Sequence, residues 1–325
     1  MARGSLEPRP LGESGLEVTA LGLGLAALGR PAYINLGREV GEAPSVAEMR
    51  DLTHAMLDAA YDTGIRYVDA ARSYGRSEEF LASWLERRRP SRLTVGSKWG
   101  YRYIGEWRTD AEVHEVKDHS FGMLEKQLAE SRALLGDHLD LYQIHSATPE
   151  SGVLDDRAVL ARLAELRSDG LVIGLSVSGS DQPDMIRQAI ATRVDGEPLF
   201  QCVQATWNVL EPSAGAALAE AKDAGWGVIV KEALANGRLI AGTEGGLLAE
   251  IASRHRVGAD AIALAASLAQ PFVDVVLSGA TSPSQLRSNL AALAVDLTAD
   301  DLERLRSMAQ RPEDYWATRS TLPWH

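Results

Sequence analysis

Short β-branched or Leu-rich runs alternate along this chain with longer segments of helical period. The runs fall near 20–25, 66–69, 93–98, 139–145, 172–176, 202–207, 228–231 and 273–278, and each has the length of a strand. Helical segments lie between them, near 46–63, 77–88, 120–135, 157–169, 183–191, 213–225 and 259–270, with a further one near 283–293. The segment at 120–135 gathers Met123, Leu124, Leu128, Ala129, Leu134 and Leu135 close to one stripe. At 77–88, Ser77 is the predicted N-cap, with Glu78 and Glu79 in the first turn. Eight strands, each followed by a helix, predict parallel pairing through helical crossovers. Over 325 residues this gives a closed (β/α)8 barrel, read as a single domain spanning 1–325.

Additions to that frame are also legible. Leu11 to Val18 reads as a tight hairpin before the first strand, placed to plug the barrel floor. Two connections exceed what a βα loop needs, one from about 29 to 44 and one from about 99 to 119. The second carries Trp99, Tyr101, Tyr103 and Trp107. Residues 295–325 hold one more helix, near 299–309, and an aromatic tail with Tyr315, Trp316 and Trp324. No linker divides the chain, and no repeat exists beyond the βα alternation.

Composition is ordinary for a globular protein, with 45% hydrophobic and 24% charged residues. The formal net charge of −12 argues against nucleic acid or an anionic membrane surface as main partner. The basic run Arg87-Arg88-Arg89-Pro90-Ser91-Arg92 reads as a solvated helix end. Cys202 is the single cysteine, so no intrachain disulfide can form. No apolar stretch approaches ~18 residues, and the first eight residues lack a hydrophobic signal core. A soluble cytoplasmic protein is the expectation. Gly22 to Gly29 imitates a dinucleotide-binding glycine fingerprint, but its spacing is off and it reads as the first strand and its turn. His114 to His119 offers two histidines and three charged residues; a charged loop is preferred over a metal site, and no metal is expected.

The chemistry sits at strand ends. Asp69, Lys98 and His145 each close an apolar run, and Tyr74 follows five residues after Asp69 in a Ser-Tyr-Gly turn. In a parallel barrel the C-terminal strand ends converge on one mouth. A free phenol has a pKa near ~10, and a neighbouring ammonium lowers it by stabilising the phenolate. Asp69 can hold that lysine, and His145 can orient a carbonyl by hydrogen bonding. Taken singly these are a cap, a turn residue and ordinary polar strand ends. Together at successive strand ends they predict protonation of a carbonyl oxygen while another group delivers a hydride.

The stretch Gly64-Ile65-Arg66-Tyr67-Val68-Asp69-Ala70-Ala71-Arg72-Ser73-Tyr74-Gly75-Arg76-Ser77-Glu78 strongly resembles the first signature of the aldo-keto reductases. The resemblance continues through Ser97-Lys98, Asp140 to His145, Val203 to Asn208 and Gly279 to Asn289. It implies that Asp69, Tyr74, Lys98 and His145 form the family's catalytic tetrad, with a nicotinamide dinucleotide extended across the barrel mouth. Trp207 falls at the position of a ring that stacks on the nicotinamide, and Ser176 and Gln204 at positions that hold its carboxamide. The family's Ser-Asn pair is here Ser176-Val177, which leaves Ser178 as the candidate to compensate. Glu232, Leu234, Asn236 and Gly237 match the loop around the pyrophosphate, where Lys231-Glu232 is unusual. Gly279, Ala280, Thr281, Gln285 and Asn289 match the adenosine end.

A 2′-phosphate needs a cation. None stands between Gly279 and Gln285, although Arg287 and Arg238 are near in sequence. Family habit favours NADP and the missing cation favours NAD; NADP is the cofactor expected, ahead of NAD. The expected activity is NAD(P)H-dependent reduction of a small-molecule aldehyde or ketone, or the reverse oxidation of an alcohol. The competing class is a slow or non-catalytic dinucleotide-binding subunit that senses redox state.

Overall fold

In the computed structural model, which describes residues 6–34, 43–240 and 246–324, eight parallel strands close into a barrel in sequence order. They are β1 Leu21–Gly24, β2 Tyr67–Asp69, β3 Thr94–Trp99, β4 Leu141–Ala147, β5 Val172–Val177, β6 Cys202–Thr206, β7 Gly227–Lys231 and β8 Val275–Ser278. Their residues are almost all buried, because helices cover the outside and side chains fill the inside. Leu57, Trp84, Leu128, Leu163, Ile186, Leu218 and Leu264 belong to the apolar layer between helices and barrel.

The hairpin expected at Leu11 to Val18 is present, its strands at Arg9–Pro10 and Glu17–Val18. Leu11 and Val18 join the first residues of five strands (Tyr67, Leu141, Val172, Cys202 and Val275) in one buried cluster, which closes the floor. The turn demands a glycine. Gly12 has φ +55°, and a Cβ there would lie 2.3 Å from the Gly227 backbone nitrogen. With the floor sealed, the C-terminal strand ends form the open mouth. The β1 strand occupies the glycine-rich stretch at Gly22, as expected.

Several details differ from the sequence expectations. Arg76, not Ser77, precedes the helix Ser77–Arg88; the Ser77 hydroxyl instead donates to Ala71 O at 3.1 Å. Glu78 is buried rather than merely facing the helix dipole. It takes hydrogen bonds from Arg72 (2.7 Å), Ser97 (2.5 Å) and Ser131 (2.8 Å), and so pins the turn that carries Tyr74. The basic run does end a solvated helix, with Arg87 and Arg88 paired to Asp58 and Asp62. The helix Leu247–His255 was not expected; nine residues behind a glycine are too few for its period to stand out. The aromatic tail is a helix, Pro312–Ser320, started by a proline at its first turn and anchored by buried Tyr315. The long connection after β3 folds its own hairpin, Tyr101–Tyr103 against Glu115–Lys117. Residues 35–42 of the other long connection lie outside the described residues. No helix among the described residues is long and apolar enough to cross a membrane.

Candidate active site

The barrel register brings the strand-end polar residues to one place. Asp69 pairs with Gly96 across β2 and β3, and Lys98 with Gln143 across β3 and β4. The Lys98 ammonium is fully buried and donates to the Asp69 carboxylate, to Ala70 O at 3.0 Å and to Tyr74 Oη at 3.4 Å. All three ammonium protons are thereby used. Asp69 also accepts from Tyr67 Oη (3.2 Å) and Gln204 Nε2 (2.8 Å). The His145 ring meets the Tyr74 ring edge-on, with centroids 5.4 Å apart, and Ser73 Oγ lies 3.3 Å from its Nδ1.

The electrostatics differ from the sequence expectation for Tyr74. Burial and the Asp69 carboxylate push the phenol well above its ordinary value, against a downward pull from Arg30. The lysine is matched by its own carboxylate, so the expected lowering does not prevail. Tyr74 is a protonated phenol at neutral pH. Burial, reinforced by Lys98, Lys231 and Arg30, holds His145 well below its ordinary value, so it is a neutral imidazole. Arg30 is a neighbour that sequence reasoning missed. It is fully buried, paired with Glu115 at 2.8 Å, donates to Ser73 O at 3.0 Å and lies 5.3 Å from the Tyr74 ring centre.

A cavity of about 500 Å³ runs from this cluster to the β8 end. Its walls include Asp69, Tyr74, Gln204, Glu232, Leu234, Asn236, Gly237, Gly279, Ala280, Thr281, Gln285 and Asn289, so most of the expected site residues share one space. Their tasks differ. Asn289 donates to Ser278 Oγ at 2.8 Å, and Gln285 accepts from Thr281 N at 2.8 Å, which shapes the loop itself. Gln204 Oε1 and Asn236 Oδ1 are buried acceptors without a partner among the described residues, and Gly279 leaves open space where a side chain would stand. Buried unpaired acceptors along an elongated cavity suit an extended ligand rich in donors.

Four expected residues lie outside these walls. Lys98 reaches the Tyr74 phenol oxygen, and the His145 ring touches the Tyr74 ring edge-on. Ser176 is fully buried below the mouth, where its Oγ accepts from Ser146 N at 2.8 Å. Trp207 is not among the residues that line the cavity. Its ring packs edge-on against Phe272 at 6.3 Å, within the layer between barrel and helices. The reason is local: Trp207 falls one residue past the end of β6, after the inward position of Thr206, and turns outward. The neighbouring strand supplies Lys231 to the cavity instead. Its Nζ donates to Thr206 Oγ1 (2.8 Å) and Ser178 Oγ (3.0 Å). The strand-end criterion that finds Lys98 also finds Lys231. Glu232 is bound by Arg319 of the C-terminal helix through both carboxylate oxygens, which explains an acid in this loop. Asp260 lines the far end and carried no sequence signal.

Of the two histidines in the 114–119 loop, His114 stacks on Trp324 at 4.6 Å and His119 Nε2 lies 2.8 Å from His145 O. Among the described residues no His, Cys, Asp and Glu cluster has the makings of a metal site.

A sequential parallel barrel with an Asp–Lys–Tyr–His cluster at its mouth defines a class of barrel oxidoreductases. The chain belongs to the aldo/keto reductase family, whose model matches residues 20–310. It is 26% identical over 359 aligned residues to a pyridoxal 4-dehydrogenase from Microbacterium luteolum, covering 96% of each chain. It is 26% identical to an NADH-specific methylglyoxal reductase from Escherichia coli, covering 94% of this chain and 98% of that one. The holo form of aldo-keto reductase AKR11C1 from Bacillus halodurans shares the fold with a TM-score of 0.70, at 23% identity, over 94% of this chain and 97% of that one.

Proposed function

We propose that this protein catalyses NAD(P)H-dependent reduction of an aldehyde or ketone, or the reverse oxidation of an alcohol. The observation that carries the reading is the direction of the Tyr74 proton. Lys98 donates to the phenol oxygen, so the phenol's own hydrogen is free to point elsewhere, and Tyr74 lines the cavity. A raised pKa keeps that hydrogen in place until a carbonyl oxygen accepts charge. Lys98 then steadies the phenolate, and Asp69 holds Lys98. His145 is neutral, and Ser73 Oγ lies 3.3 Å from Nδ1; in the tautomer in which Ser73 donates, the ring proton is on Nε2 and orients the carbonyl oxygen. The bound dinucleotide supplies or accepts the hydride. Gln204, Leu234, Asn236, Gly237, Gly279, Ala280 and Thr281 would hold it.

The second phosphate separates two forms of this reading. Family habit gave NADP. The cavity lining instead includes Asp260 along with Thr281 and Gln285, and among the described residues its one lysine or arginine is Lys231. Arg238 donates through Nη2 to Gln310 at 2.9 Å and stacks on the Tyr315 ring, with its Nη1 left without a partner among the described residues, while Arg287 is exposed. A carboxylate accepts a hydrogen bond from a ribose 2′-hydroxyl and repels a 2′-phosphate. That observation favours NADH.

The test is Tyr74→Phe on the best substrate of a carbonyl panel. Turnover falls ~10²–10⁴-fold while dinucleotide affinity is kept. Wild-type turnover in the variant, with chemistry limiting, refutes the role of Tyr74. Dinucleotide binding without turnover on any carbonyl by the wild type would favour the sensor class.

A further inference from the structure

Lys231 is the charged group at the mouth that the mechanism leaves unused. The neighbouring charges are matched: Asp69 by Lys98, Glu232 by Arg319 and Glu115 by Arg30. Among the described residues Lys231 has no hydrogen-bonded carboxylate. Its nearest, Glu232 Oε1, is 3.9 Å away and already held by Arg319. Two of its three protons go to the Thr206 and Ser178 hydroxyls, which leaves the third uncommitted in a side chain that lines the cavity. Thr206 is two residues along β6 from Gln204, so both point into the barrel from one strand face. Gln204 is orientationally fixed, because its Nε2 donates to Asp69; its buried Oε1 is therefore an acceptor without a partner. An unpaired acceptor and a cation with a spare donor thus stand beside the Asp69–Lys98–Tyr74 cluster. Hydride transfer to a carbonyl held by Tyr74 requires the dinucleotide's ring to lie in this same end of the cavity.

The oxidised ring carries one positive charge that the reduced ring lacks. We infer that Lys231 discriminates between the redox states of the dinucleotide: its ammonium disfavours the cationic oxidised form, so the site holds the reduced form more tightly and releases the oxidised one more readily. The inference rests on the oxidoreductase reading above. At an effective dielectric near ~20, a unit charge on the order of 10 Å away changes the ratio of the two affinities by on the order of tenfold.

The experiment is equilibrium binding of NADH, NAD+, NADPH and NADP+ to the wild type, Lys231→Met and Lys231→Arg. The ratio of oxidised to reduced dissociation constants falls about tenfold in Lys231→Met and is kept in Lys231→Arg. A merely structural lysine would weaken both redox forms equally; an unchanged ratio in Lys231→Met overturns the inference. Should Lys231→Met fail to fold, the wild type answers through pH. Burial holds Lys231 at about 8, opposed by Glu232 and reinforced by Arg319 and Lys98, with Asp69 opposing more weakly. The ratio therefore declines between pH 7 and pH 9.5 (roughly 1.5 units above the midpoint), while Glu232 stays charged and His145 and Tyr74 stay neutral. A flat ratio across that range overturns the inference equally. Failure of the wild type to bind any of the four dinucleotides would overturn the oxidoreductase reading, and this inference with it.

Discussion

Replacing Lys98 by methionine tests the buried pair on which the site is built. Lys98 is fully buried and Asp69 is 1% exposed. Methionine fills much of the lysine stem but leaves the Asp69 carboxylate with only the Tyr67 hydroxyl and the Gln204 amide as donors. An uncompensated buried charge costs roughly 3–5 kcal/mol. Unfolding entropy near 2.1 cal/mol/K per residue gives about 0.7 kcal/mol/K for 325 residues, so the melting temperature drops by roughly 4–7 °C. The double variant Lys98→Met/Asp69→Asn removes both charges and recovers roughly 1–3 kcal/mol of that loss. Turnover is lost in both. Denaturant unfolding of the wild type, Lys98→Met, Asp69→Asn and the double variant at pH 7, with the slope compared across them, reads the cycle. A Lys98→Met protein as stable as the wild type, or a double variant no more stable than Lys98→Met, refutes the argument that the pair is held by mutual charge compensation.

Three further outcomes follow from the geometry. The C-terminal helix is fastened through Arg319. Burial raises Glu232, but Arg319 and Lys231 outweigh it and hold the acid at about 2, against an ordinary 4.5. That stabilisation is present above pH 4.5 and lost as pH falls toward 2, with an upper bound of about 3 kcal/mol; in Arg319→Met the urea midpoint at pH 7 drops and its loss on acidification shrinks, and an acid profile identical to the wild type's would count against the pair. Trp207→Leu keeps dinucleotide affinity within about threefold in fluorescence titration; a tenfold loss would restore the stacking role. Asp260→Asn raises NADPH affinity relative to NADH about fivefold, as expected for one partly exposed charge, and an unchanged ratio removes Asp260 from cofactor selection.

The sequence alone determined the barrel and the four polar residues proposed as its tetrad. Parallel strands buried on both faces must be apolar and must be joined by helices, so eight runs and their spacers declare the topology. Asp69, Lys98 and His145 break those runs at their ends, where an apolar position turns polar, and such a break is visible in one dimension. What the tertiary structure decided is where each side chain beyond a strand end points and which charges meet. Trp207, one residue past β6, turns into the helix layer, and the cavity wall at that height is Lys231 from the neighbouring strand. Arg319 reaches Glu232 across 87 positions, and Arg30 reaches Glu115. Whether Tyr74 is raised or lowered depends on burial and on the Lys98 charge being already matched by Asp69. Ion pairs at such separations leave no periodic trace in a sequence, because only the closed barrel brings their elements together.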